Sequence, residues 1–186
     1  MNKLNMGCGF SQISGWINVD ASSYCKPDIV YDLELFPWPW EENSIDEVLF
    51  NHSLEHLGQS TSVFINIMKE LYRICKNGAG VSINVPHPRH DNFINDPTHV
   101  RIITPQLLTL FDKEVNDQFI EEGVSNTALA YYCNVNFKFM NYNLKLAEPY
   151  ASLYTNQVID DAELQELLTE KNNVAEEYRI VLKVLK

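Results

Sequence analysis

The sequence predicts a single doubly wound α/β domain built on a mostly parallel sheet. Short apolar runs rich in β-branched residues alternate with turn and helix signals as far as Pro86, the pattern of strands joined by crossovers. Several of these runs are apolar almost throughout, as strands buried on both faces are. At 186 residues the chain has the length of one domain, and a domain of that size buries roughly two thirds of its unfolded surface.

The expected strands are Lys3 to Met6, Trp16 to Asp20, Asp28 to Leu33, Glu47 to His52 and Gly80 to Pro86. Between the last two, Val63, Phe64, Ile67, Met68, Leu71, Tyr72 and Cys75 recur at helical spacing, with Asn66, Lys69, Glu70 and Arg73 on the opposite face. Ser60 to Lys76 is therefore an expected amphipathic helix, capped by Ser60 and stopped by Asn77-Gly78 in the left-handed conformation. Trp16 follows Gly9 by only seven positions, whereas a βαβ crossover needs about 10 to 12 residues. The first crossover helix is expected to be a turn or absent.

After Pro86 a polar loop carries His87, His90, Asp91, Asp96 and His99, and a short helix is expected from Thr104-Pro105 to Phe111. Loops of this length with several titratable groups tend to carry function. In the last third, Asn134 to Leu146 alternates like a strand, Asp160 to Lys171 is an expected acidic helix, and Glu177 to Leu185 is an expected closing antiparallel strand. The domain spans 1–186, with a ligand-binding core over 3–112 and the acceptor side and closing strands over 113–186.

Composition excludes several classes of function. The formal charge of −11 opposes a surface that grips phosphates, because such binding is driven largely by Lys and Arg releasing counterions, so no nucleic-acid partner is expected. No stretch approaches the ~20 apolar residues of a membrane span, and Met1-Asn2-Lys3-Leu4 leads straight into a strand, leaving no room for a signal peptide. The four cysteines, Cys8, Cys25, Cys75 and Cys133, form no CxxC pair and suggest reduced thiols in the cytoplasm.

The candidate chemistry lies at the strand ends. Gly7-Cys8-Gly9 directly follows the first strand, where glycines let backbone amides approach a ligand. Asp20 closes the second strand, where a carboxylate can accept hydrogen bonds from ribose hydroxyls. Asp32-Leu33 and Asn51-His52 end the third and fourth, so four strands aim polar groups at one edge. Trp38 and Trp40 flank Pro39 in a segment that proline bars from a central strand, and are expected to cover the sheet edge or wall an adenine pocket. Tyr131, Tyr132, Tyr142, Tyr150 and Tyr154 suit core packing, an acceptor wall, or a contact between two copies in a homodimer.

Four segments resemble the class I S-adenosylmethionine-dependent methyltransferases, in particular small bacterial members of the type 11 kind. Leu4-Asn5-Met6-Gly7-Cys8-Gly9 with Gly15-Trp16-Ile17-Asn18-Val19-Asp20 is similar to the cofactor loop and acidic strand of that family. Phe36-Pro37 through Ser44-Ile45-Asp46-Glu47-Val48, Ser53-Leu54-Glu55-His56-Leu57, and Glu70-Leu71-Tyr72-Arg73-Ile74-Cys75-Lys76-Asn77-Gly78-Ala79-Gly80 are similar to its "LPF…SFDVV", "LEHL" and "ELYRVLKPGG" stretches. The resemblance covers roughly residues 3 to 112. It implies a Rossmann-like methyltransferase fold and S-adenosylmethionine as cofactor, held by Met6, Gly7, Cys8, Gly9, Asp20, Ala21, Asp32, Leu33, Asn51 and His52. Three features depart from it: Asn5 stands where many members have an acid, no third glycine follows Gly9, and the crossover from Gly9 to Trp16 is shortened.

Methyl transfer is an in-line displacement, so the protein aligns the nucleophile and removes a proton from a hydroxyl acceptor. His99 is the first candidate base and His90 the second; the alternative for both is fixing their loop. His52 and His56 share a helical i, i+4 spacing, but HSLEH lacks the HExxH order of metalloproteases, and no metal is expected. The expected partner is a small-molecule or saccharide-like acceptor. Two rivals stand beside this reading: a nicotinamide-dependent oxidoreductase, opposed by the missing third glycine and short crossover, and a non-catalytic cofactor-binding or interaction module on the same fold.

Overall fold

The computed structural model describes all 186 residues. Strands β1 (Lys3–Met6), β2 (Ile17–Asp20), β3 (Ile29–Val30), β4 (Ile45–Asn51) and β5 (Cys75–Pro86) are parallel and stand in the order β3-β2-β1-β4-β5. Beyond β5 the sheet continues through β7 (Ala175–Val184) to β6 (Phe137–Leu146), with β7 antiparallel to both neighbours. The expected mixed sheet with an antiparallel closing strand is therefore present.

The crossover from β4 to β5 runs through α1 (Thr61–Ile74). The Ser60 side chain accepts the Val63 N–H, and Phe64, Ile67, Met68, Leu71 and Ile74 bury the apolar face against Leu4, Val48, Phe50, Val81 and Ile83. The expected stop at Asn77-Gly78 is displaced: α1 ends at Ile74 and Cys75 is already extended, while Gly78, with φ +83°, lies inside β5. Strand pairing of Cys75 with Ile45 takes the chain out of the helix before a left-handed cap can form.

As expected, no helix joins β1 to β2. The loop's backbone groups are met by side chains instead. Asn5, buried in β1, donates to the Ser11 carbonyl at 2.9 Å and to Asn18 Oδ1 at 3.0 Å, and the Ile13 N–H donates to that same oxygen at 2.8 Å. Asn18 in turn donates its amide N–H and its side-chain N–H to Asp28 Oδ2, at 2.8 and 2.9 Å. A neutral amide at position 5 thus donates where a carboxylate could only accept.

The connection from β2 to β3 is a single 3-10 turn, Ser23–Cys25, and β3 is cut to Ile29–Val30 rather than the expected Asp28 to Leu33. Between β3 and β4 the chain lies across α1. Trp38, 2% exposed, donates its N–H to Glu70 Oε2 at 2.6 Å and its indole N–H to the Leu33 carbonyl at 3.0 Å. Arg73, paired with Glu70, donates to the carbonyls of Trp38 and Trp40 at 3.0 and 2.9 Å.

After β5 come α2 (Asp91–Ile94), α3 (Pro105–Thr109, capped by Thr104), α4 (Lys113–Glu121) and α5 (Leu129–Cys133). Between β6 and β7 lie α6 (Tyr150–Thr155) and α7 (Asp161–Glu170), the latter opened by an Asp160–Glu163 capping box. No helix is long and apolar enough to cross a membrane.

Candidate functional site

At the carboxyl ends of β1, β2 and β4 a cleft of about 360 Å³ is lined by Gly7, Gly9, Asp20, Ala21, Asp32, Leu33 and His52, together with Tyr31, Ser53, His56 and Leu57. Its position is the edge at which ligands of open α/β sheets bind. The first seven of these residues are among those the sequence nominates.

The glycines have different reasons to be there. Gly7 has φ +66°, and a Cβ on it would lie 2.5 Å from Ser53 Cβ, so it lets β1 and β4 close up at their ends. Ser53 Oγ donates to the Met6 carbonyl at 2.7 Å across the same junction. Gly9, with φ +49°, has no heavy atom within 4 Å of the place a Cβ would take. Its missing side chain leaves room in the cleft.

Asp20 Oδ2 accepts the Gly9 N–H and Oδ1 accepts the Ser22 N–H, both at 2.8 Å. The carboxylate is thereby fixed in orientation, and each oxygen keeps lone pairs for a ligand hydroxyl. Met6 and Cys8 are buried beneath the loop and do not line the cleft; the Cys8 N–H is bound to the Val19 carbonyl. Burial, with the Asp20 carboxylate second, pushes the Cys8 thiol pKa up. Asn51 Oδ1 accepts from Asn84 on β5 at 2.9 Å and also stands off the lining. Neither Trp38 nor Trp40 lines it; Trp40 stands 6.1 Å from the ring of Tyr31, which does.

On the far side of the cleft, His52 carries φ +53° and donates through Nε2 to Glu177 Oε2 at 2.8 Å. Its Nδ1 lies 3.6 Å from Glu55 Oε1, a charge contact longer than a hydrogen bond. Glu55 first, and Glu177 with it, raise the His52 pKa against the opposing effect of burial.

The loop after β5 folds back here. The Val100 and Arg101 N–H groups both donate to the Glu55 carbonyl, at 2.9 and 3.1 Å, and the Arg101 guanidinium donates to the Gly58 carbonyl while lying 4.4 Å from the Phe64 ring centre. His99 is thereby brought to Glu55, with Nε2 4.0 Å from Oε1, and its ring lies 4.6 Å from that of His56. The His99 side chain, 8% exposed, stands behind the lining rather than on it. His90 is elsewhere, capping α2 by accepting the Asn92 N–H. Of the tyrosines considered as an acceptor wall, none lines the cleft; Tyr131 is bound to Asp117 and Tyr154 to Asp161.

No protein-family model and no curated protein matches the sequence. Solved structures do match the fold. A SAM-dependent methyltransferase from Archaeoglobus fulgidus aligns with a TM-score of 0.62 at 20% identity, over 98% of this chain and 85% of its own. One from Methanosarcina mazei aligns at 0.56 and 14% identity, over 99% and 92%. The fold is that of the class I methyltransferases. The [4+2]-cyclase SpnF also aligns, at 0.54 and 13% identity over 99% of this chain and 75% of its own, so shape alone does not name the reaction. The residues missed by the sequence reading are Tyr31, Ser53, Glu55 and Leu57. Three of them lie in the Ser53-to-Leu57 stretch, whose likeness to a family motif was the available signal.

Proposed function

We propose that this chain binds S-adenosylmethionine in the cleft and transfers its methyl group to a small-molecule or saccharide-like acceptor. The observation that carries the reading is the convergence of Gly7, Gly9, Asp20 and Asp32 on one cleft at the carboxyl edge of the methyltransferase-type sheet. The open space at Gly9 fits a ligand that lies against the backbone. Asp20, oriented by the Gly9 and Ser22 amides, suits the ribose hydroxyls; Asp32 and Leu33 suit the adenine; Ser53 and His52 border the side left for the methionine portion and the acceptor. When bound, the cofactor supplies an electrophilic methyl on sulfonium sulfur. The protein's part is to align the acceptor and exclude competing water.

The helix-free loop between β1 and β2 separates this reading from a nicotinamide enzyme, since a dinucleotide pyrophosphate is met by a helix N-terminus after the glycine turn. Calorimetry with S-adenosylmethionine, S-adenosylhomocysteine and NAD, on wild type and Asp20→Ala, tests it. Binding of the first two that collapses in the variant is expected. Binding of NAD alone reverses the assignment, and cofactor binding without transfer to any metabolite pool favours a non-catalytic module.

A further inference from the structure

Glu55 is 1% exposed, and neither of its carboxylate oxygens has a hydrogen-bond partner. A buried carboxylate without hydrogen bonds is costly, and the contact with His52 Nδ1 at 3.6 Å is too long to supply one, so its retention calls for a further partner. One ligand atom each from Glu55, His56 and His99 lie within 4.8 Å of one another.

Both histidines commit Nδ1 as a donor. His99 Nδ1 lies 2.9 Å from the Phe93 carbonyl, which can only accept, so Nδ1 carries a proton and Nε2 is the atom that can ligate. His56 Nδ1 lies 2.9 Å from Thr98 Oγ1, and the Thr98 hydroxyl spends its own proton on Asp96 Oδ1 at 2.6 Å. His56 therefore also donates from Nδ1, leaving Nε2 as its ligating atom. Carbonyl and carboxylate-backed acceptors of this kind are the usual outer partners of metal-binding histidines, fixing tautomer and ring orientation. Asp96 Oδ2, 3.8 Å from His99 Nε2, adds negative charge beside the cluster.

We propose that Glu55, His56 and His99 bind one divalent first-row transition-metal ion whose open coordination position faces the cleft. Two imidazoles and a carboxylate favour such an ion over magnesium or calcium, and three protein ligands with a vacant position is the pattern of a reactive site rather than a closed structural one. Ligand bonds of about 2.0 to 2.2 Å put donor atoms roughly 3.3 Å apart around a tetrahedral ion, so side-chain movements of about 1 Å close the cluster. Access runs through His56, which lines the cleft. On this assignment His99 is a ligand and not a free base.

The consequence for the acceptor rests on the methyl-transfer reading. A hydroxyl coordinated to the ion loses its proton to solvent more readily, so the acceptor class is an alcohol or phenol able to reach the open position.

The test uses tag-free protein stripped with chelator, titrated with Co²⁺ by visible absorption and with Zn²⁺ by calorimetry, with metal-free melting curves beside each titration. The expected result is one ion per chain and a rise in Tm on loading. Glu55→Gln and His99→Asn should each lose about 100-fold or more in affinity, beyond the 10- to 100-fold typical of outer partners. Metal-free Glu55→Gln should melt no lower than wild type, because the buried carboxylate it replaces makes no hydrogen bond to be lost. Should that variant fail to fold, His56→Asn and His99→Asn decide. Wild type that takes up less than one ion per chain, or ligand variants that bind as wild type does, overturns the site. S-adenosylhomocysteine binding, measured on the same stripped samples, separates the two readings: its survival without ion uptake sinks the metal site alone, and ion uptake without it sinks methyl transfer alone.

Discussion

On one flank of the sheet, β3, β2 and β1 run two to four residues each and no α-helix joins them; on the other, β5, β7 and β6 run ten to twelve and pair along most of their length. The long flank is held by continuous backbone ladders over an apolar interior that includes Ile83, Val85, Phe137, Ile180 and Leu182. The short flank is held by Asn5, Asn18 and Asp28, whose side chains complete backbone hydrogen bonds that a crossover helix would otherwise satisfy internally. The cleft opens on the short flank. Polar side chains of fixed direction hold its loops, and no helix end takes up the space.

Truncating each flank separates stability from binding. Leu182→Ala, at a fully buried β7 position, should cost about 2–5 kcal/mol in urea unfolding while leaving S-adenosylhomocysteine affinity unchanged. Asn18→Ala should cost less, about 1–3 kcal/mol for the buried groups it strands, yet weaken binding because the loop carrying Gly9 loses its anchor. Equal affinity in the two variants would erase the distinction. Gly9→Ala should cost about 1–2 kcal/mol for a left-handed alanine and place a methyl group in the cleft, so its binding loss should outweigh its stability loss in paired calorimetry and melting.

Smaller effects sharpen the picture of the long flank. Burial, with the Arg89 charge next, holds His87 below its ordinary pKa of 6.5. The unfolded chain takes up that proton as pH falls through 6.5 while the folded chain does not, so stability should decline from 6.5 towards the lowered folded value and level off beneath it. His87→Gln should flatten that slope in pH-dependent denaturation. Cys75, buried at the head of β5, has its thiol pushed up to about 12, so disulfide reagents at pH 8 should modify half-exposed Cys25 and spare Cys75 until unfolding.

Strand positions were legible wherever an apolar run meets a turn, as at β1, β2, β4 and β5, and so were the Ser60 cap and the helix starts at Thr104 and Asp160. The shortening of β3 was not, because Asp28 spends its carboxylate on Asn18 instead of beginning a ladder. α4 was missed although Asp112 caps it and Val115 and Phe119 stand one turn apart. In the cleft, Gly7, Gly9, Asp20 and Asp32 follow from strand-end logic. The approach of His99 to Glu55 does not, since it spans 44 positions and is made by backbone donors at Val100 and Arg101 that no side-chain pattern announces.

Tyr31 lines the cleft and touches Trp40, which is itself edge-on to buried Trp38 at 6.1 Å. That chain of rings makes the protein its own optical reporter. A ligand settling against Tyr31 alters the surroundings of two indoles at once, and its arrival can be followed as a change in tryptophan emission without any label.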